Sequence, residues 1–444
     1  MPEEMLKLPD RAQLRNHVIE SLSRYWQKNT GLLEEFTIRD VGDHEIKGPL
    51  KLQSVKLPEW AVQWAIEGVV LIPVEASVVG HSGESVHWEK VDWWLALFLM
   101  LECWHERLWE KEMGKPVHSY SFRLKGWDTR IWDAAWVNRI ALFLREWVAR
   151  SSNRSANDCF GLIPKAEFEV THDVDAICKT IPIRFKQGAF HLFNSVRFLV
   201  KGQLIKALDK IRAAFGFFFN SHDWWTFDQL LELEREAGIK ARFNFYADRR
   251  SKSLKSWLFD PGYDIDQKDV KLLFQKIREH GGAIGLHPTF DAWEHSEVIE
   301  EQRKWLSQVA SSEITSCRQH WLRFSWSKTW SSQAKAGILQ DSTLMFNDRS
   351  GFRSAAAFQW KPWDSERSRA HELTAMPTML MDSHSYDYQP EHGHQRHDSI
   401  ARWFKECKYV GGHVAVLWHP HTLSEDYGWL PGFHFLVRCL KEAR

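Results

Sequence analysis

Beyond about residue 161 the sequence alternates between short apolar segments of strand period and longer segments of helical period. That alternation constrains the fold more than any other feature. In 166–176, Phe168 and Val170 alternate with Glu167 and Glu169, a period of two that reads as a strand. Further on, Thr226 caps a helix with Gln229 three residues later, and Gly238 stops it. Segment 240–247 alternates like a strand. Asp266 opens a helix whose Val270, Leu273, Phe274 and Ile277 share one face up to Gly281. Segment 283–287 is the third predicted strand, followed by a helix over 296–310, and 317–324 is the fourth. A helical piece ends at Gly337, 338–343 is the fifth strand, and 373–382 and 413–419 complete the series. Strands separated by helices pair in parallel. This many units predicts an α/β fold, a (β/α) barrel that is incomplete or distorted, with an open doubly wound sheet as the alternative.

Residues 1–160 have a different texture and are expected to form a mixed α+β region, so 161–444 is predicted to be the barrel. Leu14, Val18, Leu22 and Trp26 recur at helical spacing, 68–79 reads as a buried strand around Pro73, and 91–112 and 128–150 read as long helices rich in Trp. Of the 25 Trp in the chain, those in these helices are expected in the core rather than on a ligand platform. No catalytic constellation is visible here, since His105 and His118 lack metal-like spacing. Segment 181–220 mixes basic and apolar residues at helical spacing. Such a segment suits a membrane surface, yet a packed helix is the preferred expectation.

Charge excludes one class of partner. Lys+Arg and Asp+Glu both total 58, with no basic tail or patch, which argues against nucleic acid. The six Cys are scattered without a Cys-x-x-Cys pair, and the first ten residues lack an apolar signal core. No apolar run approaches bilayer length, so no integral membrane segment is expected. The expectation is a cytoplasmic protein; the sequence leaves its oligomeric state open.

Barrel chemistry sits where strands end. The first strand ends in Thr171-His172-Asp173-Val174-Asp175, the third in Gly285-Leu286-His287-Pro288. The fourth carries Arg318, His320 and Arg323, the fifth Asp341, the sixth ends at Asp382 and His384, and the last at Trp418-His419-Pro420-His421. Two carboxylates two residues apart on an extended end can point the same way, and like charges that close need a cation or a shifted pKa. One Asp can then ligate a metal while its neighbour acts as a base. Each strand end alone is a weak signal; together they place carboxylates and imidazoles from five or more strands on one rim.

On these residues the chain resembles the polysaccharide deacetylases (the NodB-homology family, carbohydrate esterase family 4), over about 166–421. Thr171-His172-Asp173-Val174-Asp175 stands where that family has Thr-Phe-Asp-Asp-Gly, and Leu417-Trp418-His419 is similar to its closing Leu-x-His. The resemblance implies Asp173 as catalytic base, Asp175 and His287 as metal ligands, and Arg318 as the residue that orients the base. It likewise implies Asp382 as the carboxylate that tunes the acid and His419 as the general acid. Two departures stand out. Asp-Val-Asp replaces Asp-Asp, and Asp291 occupies the place of the family's second metal His. His320, one strand over, is therefore the candidate third ligand and Asp291 the fallback. His421 rivals His419 as the acid, and Arg323 is an alternative to Arg318.

Two His and one carboxylate suit a divalent ion, Zn above others. The implied activity is metal-dependent removal of acetyl groups from N-acetylated sugars of a polysaccharide or its precursor, a carbohydrate substrate. Two other readings remain at this stage: another metal-dependent amide or ester hydrolase on the same barrel, and a non-catalytic sugar-binding or scaffold relative. His392, His394 and His397 are spaced well enough for adventitious metal. Gly351-Phe352-Arg353 could line a substrate groove or be a turn followed by a packed Phe.

Overall fold

The computed structural model describes residues 6–36, 38–41, 46–78, 85–251, 253–389 and 391–443. The first region builds a three-stranded sheet. Strand β1 (Leu52–Lys56) lies between antiparallel β2 (Val69–Pro73) and parallel β3 (Val86–His87). The predicted strand 68–79 is shorter than expected because a 3-10 turn, Val74–Ala76, follows Pro73; Val79 lies outside the described residues. The predicted helix 91–112 is two helices, Trp93–Leu101 and Trp104–Met113, with Cys103 left-handed at φ 45° between them. All nine residues of the first are buried. A straight continuation would carry the same all-round apolar surface demand, so the break lets the second helix turn a charged face outward. The third Trp-rich helix starts only at Trp136 and runs to Ser151.

From residue 167 the alternation becomes a parallel sheet. Strands β4 (Glu167–Val174), β5 (Arg242–Phe245), β6 (Ala283–Leu286), β7 (Ser316–Cys317) and β8 (Gln340–Asp341) pair in that order. A short antiparallel ribbon, β9 (Trp363–Asp364) with β10 (Arg369–Ala370), stands apart. Then β11 (Thr374–Ala375) joins β8, and β12 (Thr378–Met381) joins β13 (His413–Leu417), which pairs with β4. The order β11-β8-β7-β6-β5-β4-β13-β12 is parallel throughout. Its two edges, β11 and β12, are successive pieces of one segment separated by Met376-Pro377. The row therefore curls round until a single broken strand closes it, a distorted (β/α) barrel rather than an open sheet. Pro377 has no N–H for a ladder, which suits the break.

One predicted strand fails in an informative way. Segment 317–324 keeps strand geometry only at Cys317, and Trp321 and Leu322 are left-handed at φ 56° and 49°. Asn347 Nδ2 donates to the Trp321 carbonyl at 3.0 Å and the Ser119 hydroxyl donates to that of Leu322. These tertiary bonds replace the ladder and hold a strained turn that a lone strand would not adopt.

Both regions share one buried core, continuous from Leu14 to Leu440. Polar ties cross the same boundary: Tyr25 OH donates to the Val410 carbonyl at 2.8 Å, Arg139 pairs with Glu406, and Arg353 with Glu106 at 2.7 Å. Gly351 belongs to this seam. A Cβ there would stand 2.4 Å from the Trp132 carbonyl oxygen, and its φ is 127°, so the close approach needs glycine. Arg353 thus joins the two regions rather than lining a groove. Segment 181–220 forms two paired helices, Ile181–Val200 and Leu204–Phe219, which pack along one side only.

Candidate metal centre and active site

The register of β4, β5 and β6 aligns Asp173, Asn244 and Gly285 side by side. Asn244 Nδ2 donates to Asp173 Oδ1 at 2.8 Å. A Cβ on Gly285 would fall 2.2 Å from Asn244 Oδ1, so glycine on β6 is what leaves room for that side chain. Arg318, fully buried, follows β7 and is fixed from several strands. It donates to Thr171 Oγ1 at 2.8 Å, Thr378 Oγ1 at 3.0 Å, the Ser342 carbonyl at 3.0 Å and Asp173 Oδ1 at 3.2 Å. Burial alone would raise the Asp173 pKa; Arg318, with His287 and His419, brings it below the usual carboxylate value.

Asp175 follows β4, where the chain leaves the sheet, and its side chain remains 32% exposed. Its Oδ1 lies 3.3 Å from His287 Nε2 and 3.5 Å from His320 Nδ1, and Oδ2 lies 3.6 Å from His419 Nε2. The three imidazoles outweigh burial and hold this carboxyl far below its ordinary pKa.

Two of these rings have their tautomers fixed from behind. His287 Nδ1 is 2.7 Å from the Arg318 carbonyl and His320 Nε2 is 2.7 Å from the Phe259 carbonyl. A carbonyl oxygen only accepts, so each of those nitrogens carries the hydrogen, the arrangement that orients metal-ligating histidines. The remaining nitrogens, His287 Nε2 and His320 Nδ1, face each other at 2.8 Å. Two lone pairs at that distance require a cation between or beside them, a proton or a metal. Asp175 Oδ1 is buried without a hydrogen-bond partner and faces the same point. Asp175, His287 and His320 each offer one ligand atom, all within 4.8 Å of one another, and form the one such group among the described residues. The donor set fits a divalent ion. Burial lowers the His320 pKa to about 4, which favours the neutral ring a metal needs.

Across the same cavity His419 leaves the end of β13, the strand beside β4. Its Nδ1 lies 2.9 Å from Asp382 Oδ1, and its backbone N–H donates to Asp382 Oδ2 at 2.8 Å. Although burial pulls the ring down, Asp382, then Asp175 and Asp173, push its pKa up to about 10. His421 differs. Burial and the neighbouring His419 lower it to about 4, and it stacks on Trp224 at 5.5 Å. Both line the cavity of about 510 Å³ that also contains Asp173, Asp175, His287, His320 and Asp382, walled by Tyr427 and Trp429. A larger cavity, about 720 Å³ beside Trp60 and Arg150, has no histidine and a single carboxylate.

Other residues singled out in the sequence lie elsewhere. Asp291 is exposed and pairs with Lys255 at 2.6 Å, outside the metal-binding group. Arg323 stacks over Phe290 at 4.2 Å rather than reaching Asp173. Asp341, on β8, is fully buried and accepts from Trp330 Nε1, Gln333 Nε2 and Thr343, outside the metal-binding group. His384 is taken up by Phe346 and Met381 backbone groups, and His397 stacks on Phe435 at 3.9 Å. Sequence reasoning gave no role to Asn244, Thr171 or Thr378. Asn244 had a signal, a lone amide between Phe243 and Phe245 in a buried strand, and Thr171 stood in the polar end of the first strand; Thr378 had none.

Fold and site together define a distorted (β/α) barrel with a candidate Asp/His/His metal centre at the carboxyl ends of its strands. No protein-family model matches the chain, and no curated protein matches it. Among solved structures it is similar to a Mycobacterium smegmatis protein classed provisionally as a polysaccharide deacetylase, at 17% identity and a TM-score of 0.37, covering 64% of this chain and 84% of that one. It is also similar to a Bacillus anthracis pseudoenzyme of the CE4 family, at 11% identity and a TM-score of 0.29, covering 63% of this chain and 62% of that one. A mutant of that pseudoenzyme with restored enzymatic activity matches at the same 11% identity and a TM-score of 0.29, covering 63% of this chain and 64% of that one.

Proposed function

We propose that the protein is a metal-dependent carbohydrate N-deacetylase, with Zn as the ion. One observation carries the reading. Two imidazoles, oriented by backbone carbonyls, turn their free nitrogens to one carboxylate, while an Arg-held Asp and an Asp-held His flank the same cavity. The motif resemblance in the sequence supports it.

Asp175, His287 and His320 would hold the ion, which when bound supplies a Lewis acid for the acetamide carbonyl and lowers the pKa of water. Asp173, kept ionised by Arg318 and Asn244, takes the proton from the attacking water. His419, kept protonated by Asp382, gives its proton to the nitrogen as the C–N bond breaks, so acetate and a free amine leave. The two act from adjacent strands, β4 and β13, on one side chain of substrate. Tyr427 and Trp429 offer apolar ring faces, and about 510 Å³ is room for a sugar.

The test is metal analysis of the purified protein followed by assay of acetate release from N-acetylated sugar oligomers. Stoichiometric metal and acetate release are expected, and Asp175→Ala should lose the metal while staying folded. Equal metal content in wild type and variant removes the site assignment. Bound metal with no acetate release, but turnover of simple esters, removes the N-deacetylase assignment.

A further inference from the structure

The helix Ile181–Val200 is inside out. Its buried positions are Gly188, His191, Asn194, Ser195 and Phe198, mostly polar or small, and both His191 ring nitrogens lack hydrogen-bond partners. Its outward positions are apolar: Phe193 is 68% exposed, Val196 59% and Val200 84%. Ile181, Phe185, Leu192, Val196 and Leu199 are spaced by four, seven, four and three residues, so they lie along one face of the helix, with Val200 at its margin. The second helix continues the pattern, with Ile205 77% and Phe219 73% exposed while Ala207 and Ala214 pack inward. A helix in water presents the opposite arrangement, and exposed apolar area of this extent marks an interaction surface.

Charge selects the partner. Residues 179–220 carry eight Lys and Arg against a single Asp, in a chain balanced at 58 against 58. Lys179 and Lys210 use their charge on Asp426 and Asp387 and so fasten the hairpin to the barrel. Arg197, Lys201 and Lys206 flank its turn. No helix among the described residues is long and apolar enough to cross a membrane. Apolar residues with a basic margin are the signature of a helix lying in the headgroup region of an anionic bilayer. A second copy of the chain fits less well, because two hairpins of the same positive sign would repel.

We propose that the hairpin 181–219 docks the protein on the surface of an anionic lipid bilayer. Its position relates that surface to the candidate site. Ile183 and Lys186 of the first helix share a cleft with Trp257, Phe259 and Trp321, and the cleft opens onto Asp175 and His320. Trp257 and Trp321 are themselves 46% and 42% exposed, so the mouth of the site has the same apolar character as the hairpin. The hairpin and the mouth of the cavity therefore adjoin one another. The docking itself does not depend on the hydrolytic reading and is tested without it.

The test is co-sedimentation of the full chain with vesicles of phosphatidylglycerol and phosphatidylcholine, and with pure phosphatidylcholine, at low and high salt. Wild type should pellet with the anionic vesicles and be released substantially by salt. The combination Val196→Glu, Val200→Glu and Ile205→Glu should abolish binding, each residue contributing on the order of tenfold in partitioning. Lys201→Glu with Lys206→Glu should weaken binding to anionic vesicles by about fivefold per residue and leave that to phosphatidylcholine unchanged. Circular dichroism and thermal unfolding identify folded variants, and the lysine pair, at and just past the turn, serves if the apolar triple does not fold. Wild type that stays in the supernatant with both vesicles overturns the proposal. So does binding that neither variant alters, or a dimer in sedimentation velocity that the triple variant dissolves without any vesicle binding.

Discussion

At the level of one residue, His287 and His320 are built as candidate ligands. Each ring is locked by a backbone carbonyl on its far nitrogen, so its near nitrogen has one direction in which to point. His320 is the proposed third ligand, since Asp291 is exposed and already paired with Lys255. Replacing His320 with Ala is therefore expected to cost metal affinity at least about tenfold, within the range for lost ligands and their supports, while Asp291→Ala leaves it unchanged. Isothermal titration of metal into the stripped protein decides between them. The acid–base pair makes a pH prediction. Asp173 has a lowered pKa, so its proton-accepting form persists until the pH falls below the ordinary carboxylate value of 3.8. The His419 pKa is raised from 6.5 to about 10, so its proton-donating form is lost only as the pH climbs above neutrality. A cation held at Asp175 would draw that value back down, so the alkaline limb of activity is expected between these two figures. Asp382→Asn removes the carboxylate that raises it, and the alkaline limb should move to lower pH with the acid limb unmoved. An unmoved alkaline limb in that variant assigns the limb to another group.

At the scale of elements, the barrel and the first region are joined by polar groups that have no water to fall back on. Arg353 and Glu106 are both buried and bond at 2.7 Å, Glu106 also accepts from Trp326 Nε1 at 3.1 Å, and Arg353 also donates to the Met345 carbonyl at 3.2 Å. Removing one partner leaves the other charge unpaired in a dry seam. Arg353→Met is expected to destabilise the protein by about 3–5 kcal/mol, and the pair replacement Arg353→Met with Glu106→Gln by clearly less. Denaturant unfolding of the three proteins measures this coupling, and equal losses in the single and double variants would show that the ion pair is not the cause. The same seam carries Ser119, which bonds the Leu322 carbonyl, two residues past His320. The first region thus supports the strained turn that presents a candidate ligand.

For the whole molecule, the shared core makes the first region part of the barrel's wall. Trp93, Trp104 and Trp132 are buried in the cluster that also holds Trp330 and Val416. A chain starting near residue 161 loses that cover and exposes Ala355–Phe358 and their neighbours, all now fully buried. Such a truncation is expected to aggregate on expression, and size-exclusion chromatography with acetate release is the check. A monomeric, fully active product would show the first region to be a separable module.

Periodicity in the sequence was enough to determine the repeated strand and helix units, their parallel pairing and the polar strand ends, because a helix or strand must bury an apolar face and its spacing records which. Asp173, Asp175, His287 and His419 were legible for the same reason: each ends a strand that the pattern marks. What periodicity cannot record is contact between distant segments. The left-handed turn at Trp321 and the stacking of Arg323 on Phe290 depend on distant partners, Ser119 for the first more than 200 residues away, and Asp341 is drawn from the rim by Trp330 and Gln333 of the neighbouring helix. The pairing of His320 with His287 across β6 and β7, the seat of Asn244 against Gly285, and the outward apolar face of 181–219 were likewise decided only in the tertiary structure. Local sequence sets which face of an element is apolar; only packing decides whether that face meets the core or is left outside.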